Sequence, residues 1–269
     1  MKIRICITGY DGFIGSNLLK SPVLRRKNVV LIPFRGDLLK KSDIEEFFKK
    51  NEKIDQIIHL AGVFFGDFKT LIDINLLATQ NLLEVALKNK VKKIIFSSTG
   101  AVYGEPIRKE SVEKDPLKPN TMYGLVKYYT EECIKYNADR FKFNYVILRF
   151  PNVYGENNNK GVIYDFKKNI NDKAEITIYG DGKQARNFLH VKDACRSIVK
   201  SIFYNKSNIF NISNPVKISI NDVVKILSAK YMFKIKYKEE KNNLKELLLN
   251  IDKAEKVLKF KPLVRELLI

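Results

Sequence analysis

Short apolar runs alternate with amphipathic stretches through the first half of the chain. The apolar runs predict β-strands at Ile3–Thr8, Val29–Phe34, Asp55–Ala61, Val91–Ser97 and Phe143–Arg149. Between them, apolar residues recur about every 3.6 positions, which predicts helices over Gly15–Leu24, Ser42–Lys50, Asn75–Lys88 and Tyr123–Asn137. Continuous apolar strands separated by helices are typical of a parallel sheet that is covered on both faces. The pattern therefore predicts an α/β fold with a doubly wound parallel sheet.

The pattern changes after Pro151. Turn-forming residues cluster at Asn157–Gly161 and Tyr179–Gly182, which predicts loops there. Short strands (Glu175–Ile178, Ile209–Ile212) mix with helices (Asp193–Phe203, Ile220–Lys230). We expect a first domain over residues 1–155, to which 185–203 returns, and a smaller α/β domain formed mainly by 156–269.

Cysteine usage and hydropathy indicate where the protein works. Cys6, Cys133 and Cys195 are few and widely separated among 269 residues, so we expect neither a disulfide framework nor a zinc site. The first residues, MKIRICITG, do not have the pattern of a secretion signal. The longest apolar stretch, near Ile57–Phe65, is too short to span a membrane. We expect a cytoplasmic protein with no membrane partner.

The formal net charge is +19, from 49 Lys and Arg against 30 Asp and Glu. The lysines are spread along the whole chain in short runs, which is typical of a solvated basic surface. Such a surface can also attract an anionic substrate. Because no basic cluster stands out, we do not expect nucleic acid as a partner.

A glycine-rich turn follows the first predicted strand. Gly9, Gly12 and Gly15 lie between Thr8 and a predicted helix. Glycines let the backbone turn tightly and approach a pyrophosphate, and the helix N-terminus offers free N–H groups to that anion. The strand–turn–helix order predicts a dinucleotide site at the start of the chain.

The end of the second predicted strand bears on the choice of cofactor. The residue that meets the adenosine ribose is expected about 20 positions after the glycines, which leads to Arg35. An arginine there suits the 2′-phosphate of NADP, whereas Asp37 could bind the ribose hydroxyls of NAD. The sequence therefore predicts NAD or NADP without choosing between them.

A tyrosine and a lysine stand four positions apart at the start of a predicted helix. Tyr123 and Lys127 would share one helix face. A neighbouring cation favours the phenolate, so we expect a lowered pKa for Tyr123 and a role in proton transfer. Thr99 follows a predicted strand and could hydrogen-bond the reacting oxygen.

Together these motifs resemble the extended short-chain dehydrogenase/reductases of the NAD-dependent epimerase/dehydratase family. The similar segments, in chain order, are TGYDGFIG, GDL, IIHLAG, SSTGAVYG, YGLVK, LRFPNVYG, RNFLHVKDA, FNIS and DKAEKVLKFKP. The resemblance implies a Rossmann domain that binds NAD or NADP and a C-terminal domain that binds substrate. It also implies a nucleotide-diphosphate sugar as substrate and a homodimer. The dimer would form through Asn75–Lys88 and Tyr123–Asn137, with Leu77, Leu83, Tyr128 and Tyr129 as exposed apolar positions.

The resemblance also assigns site residues. Three would be catalytic: Thr99, Tyr123 and Lys127. The cofactor would contact Gly9, Gly12, Phe13, Ile14, Gly15, Arg35, Asp37, Leu38, Ala61, Gly62, Tyr123 and Lys127. The sugar nucleotide would contact Thr99, Asn152 and Arg186. His190 lies in the Arg186 motif, and we interpret it as structural.

Within the family, the reaction depends on the residues after Thr99. Dehydratases are similar to one another in having Asp-Glu where this chain has Gly100-Ala101. We therefore expect no dehydration and favour a nucleotide-sugar epimerase acting at a sugar carbon, with C4 as the expected position. An NADPH-dependent 4-ketoreductase is the alternative, because Arg35 suits that cofactor. A non-catalytic nucleotide- or RNA-binding relative is a more distant alternative, which the retained Thr99, Tyr123 and Lys127 argue against.

Overall fold

A six-stranded parallel sheet forms the centre of the computed structural model, which describes residues 2–21, 24, 28–51, 53–239, 246–264 and 266–267. Numbered in chain order, its strands are β1 (Ile3–Thr8), β2 (Val29–Pro33), β3 (Gln56–His59), β4 (Lys93–Thr99), β5 (Asn144–Phe150) and β9 (Asn208–Asn211). They pair in the order β2-β1-β3-β4-β5-β9, all parallel. The predicted doubly wound parallel sheet is confirmed.

Helices cover both faces of this sheet. They are α1 (Phe13–Lys20), α2 (Lys41–Lys50), α3 (Phe68–Ile72), α4 (Ala78–Lys88), α5 (Met122–Phe141) and α7 (Val191–Ile202), with a π-helical turn at Asp73–Leu77 between α3 and α4. Successive residues of a strand point to opposite faces. Accordingly, Ile5 and Ile7 of β1 pack in the cluster that includes α1 and α7, while Cys6 packs with α2, α4 and α5.

The C-terminal half of the chain contributes a strand and a helix to the large sheet and its covering helices. The predicted strand Ile209–Ile212 appears as β9, which pairs with β5 at the edge of the large sheet. α7 packs against the same sheet through Ile198 and Ile202. At the N-terminus, α1 ends at Lys20, and its predicted continuation to Leu24 falls partly on residues 22 and 23, which lie outside the described residues.

The remaining elements form smaller sheets beside the large one. They are β6 (Asn152–Tyr154), α6 (Val162–Lys173), β7 (Glu175–Tyr179), β8 (Ala185–His190), β10 (Lys217–Ser219), α8 (Ile220–Ser228), β11 (Lys234–Lys238), β12 (Glu246–Leu247) and α9 (Asp252–Lys256). β8 pairs with β6, β10 and β12, while β11 pairs with β7. Their shared core includes Phe166, Ile176 and Phe188.

The order of the strands locates the place for a ligand. The chain passes from β1 outward to β2 and then returns to the other side of β1 as β3. In open α/β sheets, ligands bind beyond the carboxyl ends of the strands at such a reversal. Here that point lies between the segments that follow Thr8 and His59.

In the described part of the chain, no helix is both long and apolar enough to cross a membrane.

Candidate active site

The turn after β1 is built on contacts that only glycine allows. Gly9 has φ +64°, and a Cβ placed on it would lie 2.6 Å from the backbone nitrogen of Ala61. A Cβ on Gly15 would lie 2.1 Å from the carbonyl oxygen of Gly9. The first turn of α1 can therefore lie directly against the loop, which leaves its N–H groups open to an anion.

Two adjoining cavities follow this turn. The larger, of about 540 Å³, is lined by these residues of the predicted site: Gly9, Gly12, Phe13, Ile14, Gly15, Gly62, Thr99, Tyr123 and Asn152. The other, of about 360 Å³, is lined by Gly9, Arg35, Asp37, Leu38 and Ala61. Because Gly9 belongs to both, the glycine turn stands between a predicted adenosine side and a predicted reaction side.

Thr99 and Tyr123 reach the larger cavity from β4 and α5. The Thr99 side chain accepts a hydrogen bond from the backbone of Ala101 at 3.2 Å, which caps a short 3-10 helix at Gly100–Tyr103. Thr121 caps α5 by accepting from the backbone of Gly124 at 3.1 Å. A Cβ on Gly124 would lie 2.6 Å from the Ala101 carbonyl oxygen. Gly124 therefore allows the start of α5 to lie close to the end of β4.

Lys127 lies one turn behind Tyr123, beneath the cavity surface. Its Nζ donates a 2.6 Å hydrogen bond to the carbonyl oxygen of Ser97 and lies 4.0 Å from the centroid of the Phe96 ring. Only 4% of the residue is exposed, and Lys127 is not among the residues that line the cavity. The carbonyl and the ring hold its amine in one orientation.

The expected lowering of the Tyr123 pKa by Lys127 is wrong. Burial raises the pKa of Tyr123 to about 12. Burial also lowers the pKa of Lys127 to about 7, while Glu131 opposes that change. Removal from water disfavours the charged form of each group, so burial outweighs the neighbouring lysine in setting the Tyr123 pKa.

The second cavity contains both residues that the sequence proposed for cofactor selection. Arg35 is exposed, and its guanidinium carbon lies 5.8 Å from the centroid of the Tyr10 ring. Asp37 is also exposed, and its Oδ1 accepts a 2.9 Å hydrogen bond from the backbone of Leu39. Asp37 therefore has one carboxylate oxygen engaged in its own turn, whereas Arg35 extends over an aromatic ring at the rim.

Of the residues predicted to bind substrate, Thr99 and Asn152 line the larger cavity and Arg186 does not. Asn152 is exposed at the start of β6 and lines the larger cavity. Arg186 lies on β8, where its Nη1 donates a 2.9 Å hydrogen bond to Ala185, and it is not among the residues that line that cavity. His190 caps α7 by accepting from the backbone of Lys192 at 3.2 Å, which agrees with its interpretation as structural.

Sequence reasoning missed Asn75. It lies in the π-helical turn and is 2% exposed. Its Nδ2 donates to the carbonyl oxygens of Val63 and Leu71, each at 2.9 Å, and a Cβ on Gly62 would lie 2.7 Å from its Oδ1. Asn75 thus holds the loop after β3 in place. An amide in the middle of an apolar helical run was the available signal.

Two further residues line the larger cavity close to Tyr123. The centroid of the Phe64 ring lies 6.3 Å from that of Tyr123, and the Nζ of Lys160 lies 5.0 Å from the centroid of the Phe64 ring.

Across the described ranges, no group of three or more His, Cys, Asp or Glu side chains is arranged to hold a metal ion.

Residues 5–213 match the family model described as the NAD dependent epimerase/dehydratase family. The chain belongs to the NAD-dependent epimerase/dehydratase family.

Its relatives in this family include nucleotide-sugar epimerases. A putative UDP-glucose 4-epimerase of Methanocaldococcus jannaschii is 31% identical over 93% of this chain and 91% of its own length. UDP-glucose 4-epimerase of Thermotoga maritima, solved with UDP-glucose, superimposes with a TM-score of 0.89 at 26% identity, over 97% of this chain and 94% of that one.

A second solved structure contains the cofactor. UDP-glucuronic acid 4-epimerase of Bacillus cereus, solved with UDP-glucuronic acid and NAD, gives a TM-score of 0.86 at 27% identity, over 97% of this chain and 94% of that one. Other members that match are dTDP-D-glucose 4,6-dehydratases and a UDP-N-acetyl-alpha-D-glucosaminuronate decarboxylase. Family membership alone therefore does not identify the reaction.

Proposed function

We propose that this protein is an NAD-dependent nucleotide-sugar epimerase that acts at C4 of the sugar. One observation carries the proposal: Tyr123 and Thr99 line the same cavity as the glycine turn. A proton-transfer group thus faces the place where the dinucleotide is expected to bind. The similarity to epimerases solved with UDP-sugars and NAD supports the same reaction.

The residues around the glycine turn suit a dinucleotide. The close approaches at Gly9 and Gly15 form a backbone cradle that any Cβ would fill. Gly9, Gly12 and Gly15 would hold the pyrophosphate, Arg35, Asp37 and Leu38 the adenosine, and Gly62 would line the nicotinamide side. When bound, NAD would supply reversible hydride transfer at the sugar carbon.

The chain's own residues would move the proton. Tyr123 would take the proton of the sugar hydroxyl as the ketone forms and give it back as the alcohol is restored. Thr99 would hydrogen-bond the same oxygen. Because burial raises the pKa of Tyr123, its basic form needs the positive charge of a nearby Lys127.

The region after Thr99 argues against a dehydratase. Gly100 is buried, and a Cβ on it would lie 3.2 Å from a methyl group of Leu249. A carboxylate side chain at this position would have to displace Leu249, and Ala101 offers no acid or base. Dehydration needs both an acid and a base to eliminate water, and neither Gly100 nor Ala101 supplies one, which favours the epimerase over a dehydratase.

A ketoreductase is the second candidate, because Arg35 is exposed at the rim of the adenosine-side cavity. Its guanidinium suits the 2′-phosphate of NADP. A reductase exchanges its cofactor at every turnover, whereas an epimerase restores its own. Retention of the dinucleotide therefore distinguishes the two functions.

We also propose a homodimer formed across α4 and α5. Leu77 and Tyr129 are exposed as expected, and a groove of about 860 Å³ lies between the two helices. The prediction of an exposed Leu83 was wrong: Leu83 is 2% exposed and packs in the sheet core. Tyr128 is half-buried and packs beside Tyr103, because these two positions face inward on their helices.

The test is the identity of any nucleotide released from the purified, denatured protein, together with a turnover assay on UDP-glucose, UDP-N-acetylglucosamine and UDP-glucuronic acid. An epimerase should release NAD or NADH and form the C4 epimer of one of these sugars. An empty protein that NADPH stabilises against heat more than NADH does would favour the ketoreductase. Absence of turnover with these sugars, together with no released dinucleotide and no stabilisation by NADH or NADPH, would contradict both enzymes.

A further inference from the structure

A buried carboxylate lies one helical turn beyond Lys127. Tyr123, Lys127 and Glu131 follow one another at four-residue spacing on α5 and therefore share one face. Glu131 is completely buried. Glu131 is not part of the glycine turn and lines neither cavity. It therefore has no predicted contact with the dinucleotide or the sugar.

Two side chains hold the Glu131 carboxylate from the sheet. Ser98 donates to its Oε1 at 2.5 Å, and Arg149 donates to Oε1 from Nε at 3.0 Å and to Oε2 from Nη2 at 2.6 Å. Ser98 and Arg149 are paired in register on β4 and β5. The carboxylate therefore has a fixed position relative to the end of β4, where Ser97 holds Lys127 and Thr99 lines the cavity.

Arg149 is fixed in turn by a second set of contacts. It is 1% exposed, and its Nη1 lies 2.9 Å from the hydroxyl of Tyr103, which donates to Asn211 at 2.7 Å. Burying an ion pair costs desolvation free energy, and apolar residues can often replace such a pair without loss of stability. This favours a role for the pair beyond packing.

The groups that face Lys127 differ in charge. On α5 these are the phenol of Tyr123 and the carboxylate of Glu131, and on β4 the Phe96 ring and the Ser97 carbonyl. On β3, His59 is buried and neutral because burial and Lys127 both lower its pKa. Burial lowers the Lys127 pKa and Glu131 raises it, so Glu131 favours the ammonium form.

We propose that Glu131, fixed by Ser98 and Arg149, is a positioning residue that stabilises the ammonium form of Lys127 behind Tyr123. The inference rests on the proposed function, because that function requires a cation to support the Tyr123 phenolate. Glu131 acts through Lys127 and does not touch the reacting atoms.

The test is Glu131→Gln in the full chain, since glutamine keeps the shape and removes the charge. In protein carrying ¹⁵N-labelled lysine, the Lys127 Nζ signal, assigned by its loss in Lys127→Arg, should titrate about one pH unit lower than in the wild type. If the proposed turnover is observed, kcat at pH 8 should fall about tenfold, KM should stay within about twofold, and the alkaline limb of the kcat profile should move to lower pH. Glu132→Gln, at a half-buried neighbouring glutamate that pairs with Lys135, should change none of these.

Glu131→Gln leaves Arg149 without a counter-charge and could fail to fold, so a second variant is needed. Glu131→Gln combined with Arg149→Met removes both charges and should restore the melting temperature while the Lys127 titration stays low. An unchanged Lys127 titration in both variants would overturn the proposal, as would a wild-type pH profile in the double variant. The titration does not require turnover, so it decides the role of Glu131 even if the epimerase assignment fails.

Discussion

The hydroxyl of Thr8 lies 2.6 Å from Nδ1 of His59, and the hydroxyl of Thr79 lies 2.8 Å from Nε2 of the same ring. Thr79 donates its own proton to the Asn75 carbonyl oxygen at 2.6 Å, so Nε2 is the donor and Nδ1 the acceptor. Thr8 in turn accepts from the backbone of Ala61 at 3.2 Å. A neutral histidine thus joins the ends of β1 and β3 beneath the predicted cofactor loop.

This ring should make stability depend on pH. The pKa of His59 falls from 6.5 to about 3 on folding. Between pH 3 and pH 6.5, His59 is therefore protonated in the unfolded chain and neutral in the folded protein. The stabilisation is complete above pH 6.5 and is lost as pH falls toward 3, by up to about 1.4 kcal/mol per pH unit. Urea unfolding should show His59→Gln as less stable at pH 7, with a gap from wild type that narrows on acidification. Parallel pH dependences would contradict this assignment.

Replacing the proposed acid–base group should stop turnover without loss of the fold. Tyr123→Phe removes only the hydroxyl, and we expect kcat to fall at least about 100-fold with the melting temperature unchanged. Tyr128→Phe is the matched control on the same helix and should retain wild-type turnover. Full activity in Tyr123→Phe would exclude the mechanism.

The glycine turn should tolerate a methyl group at one position and not at another. In Gly15→Ala, the Cβ meets the Gly9 carbonyl oxygen at 2.1 Å, so the turn must open. We expect a loss of about 1–3 kcal/mol in unfolding free energy and loss of the retained dinucleotide. Gly12→Ala places its Cβ at 3.3 Å from the same oxygen, with φ −71°, and should stay within about 1 kcal/mol of the wild type. Equal stability of the two variants would show that the contact is relieved at little cost.

The proposed dimer should depend on the groove between α4 and α5. Sedimentation of the wild type should give twice the protomer mass of 31.2 kDa. Tyr129 is 51% exposed at this groove, and Tyr129→Glu would bury an unpaired charge in the interface, so it should sediment as one protomer. Tyr237→Glu, on the exposed strand β11, is the control that should remain dimeric. A wild type of single-protomer mass would refute the dimer.

Local sequence patterns were sufficient to predict the sheet and the glycine turn of the candidate site. The apolar runs gave strands within a few residues of their observed bounds, and the order of strands and helices gave a parallel sheet. Gly9, Gly12 and Gly15 form the turn that their spacing predicted. These features depend on neighbours in the chain, because steric limits on the backbone and the period of burial act over a few residues. The catalytic roles of Thr99, Tyr123 and Lys127 stay predictions.

The spacing of Tyr123 and Lys127 could not give their pKa values. Spacing placed the two side chains on one face, but burial by distant segments determines which protonation state each prefers. The same limit explains why Leu83 was wrongly predicted to be exposed. Helical periodicity alone could assign this residue either to the sheet core or to the surface. Solvent exclusion is a property of the packed molecule, so a single segment does not reveal it.

The sequence by itself determined the family, the parallel sheet, the glycine turn and the tyrosine–lysine pair, because each is encoded by residues close together in the chain. Only the tertiary structure joined Glu131 to Arg149, held Gly62 against Asn75, and left Arg186 outside the lining of the larger cavity. These relationships join segments far apart in sequence. They arise when the sheet brings buried polar groups together and each must find a partner away from water.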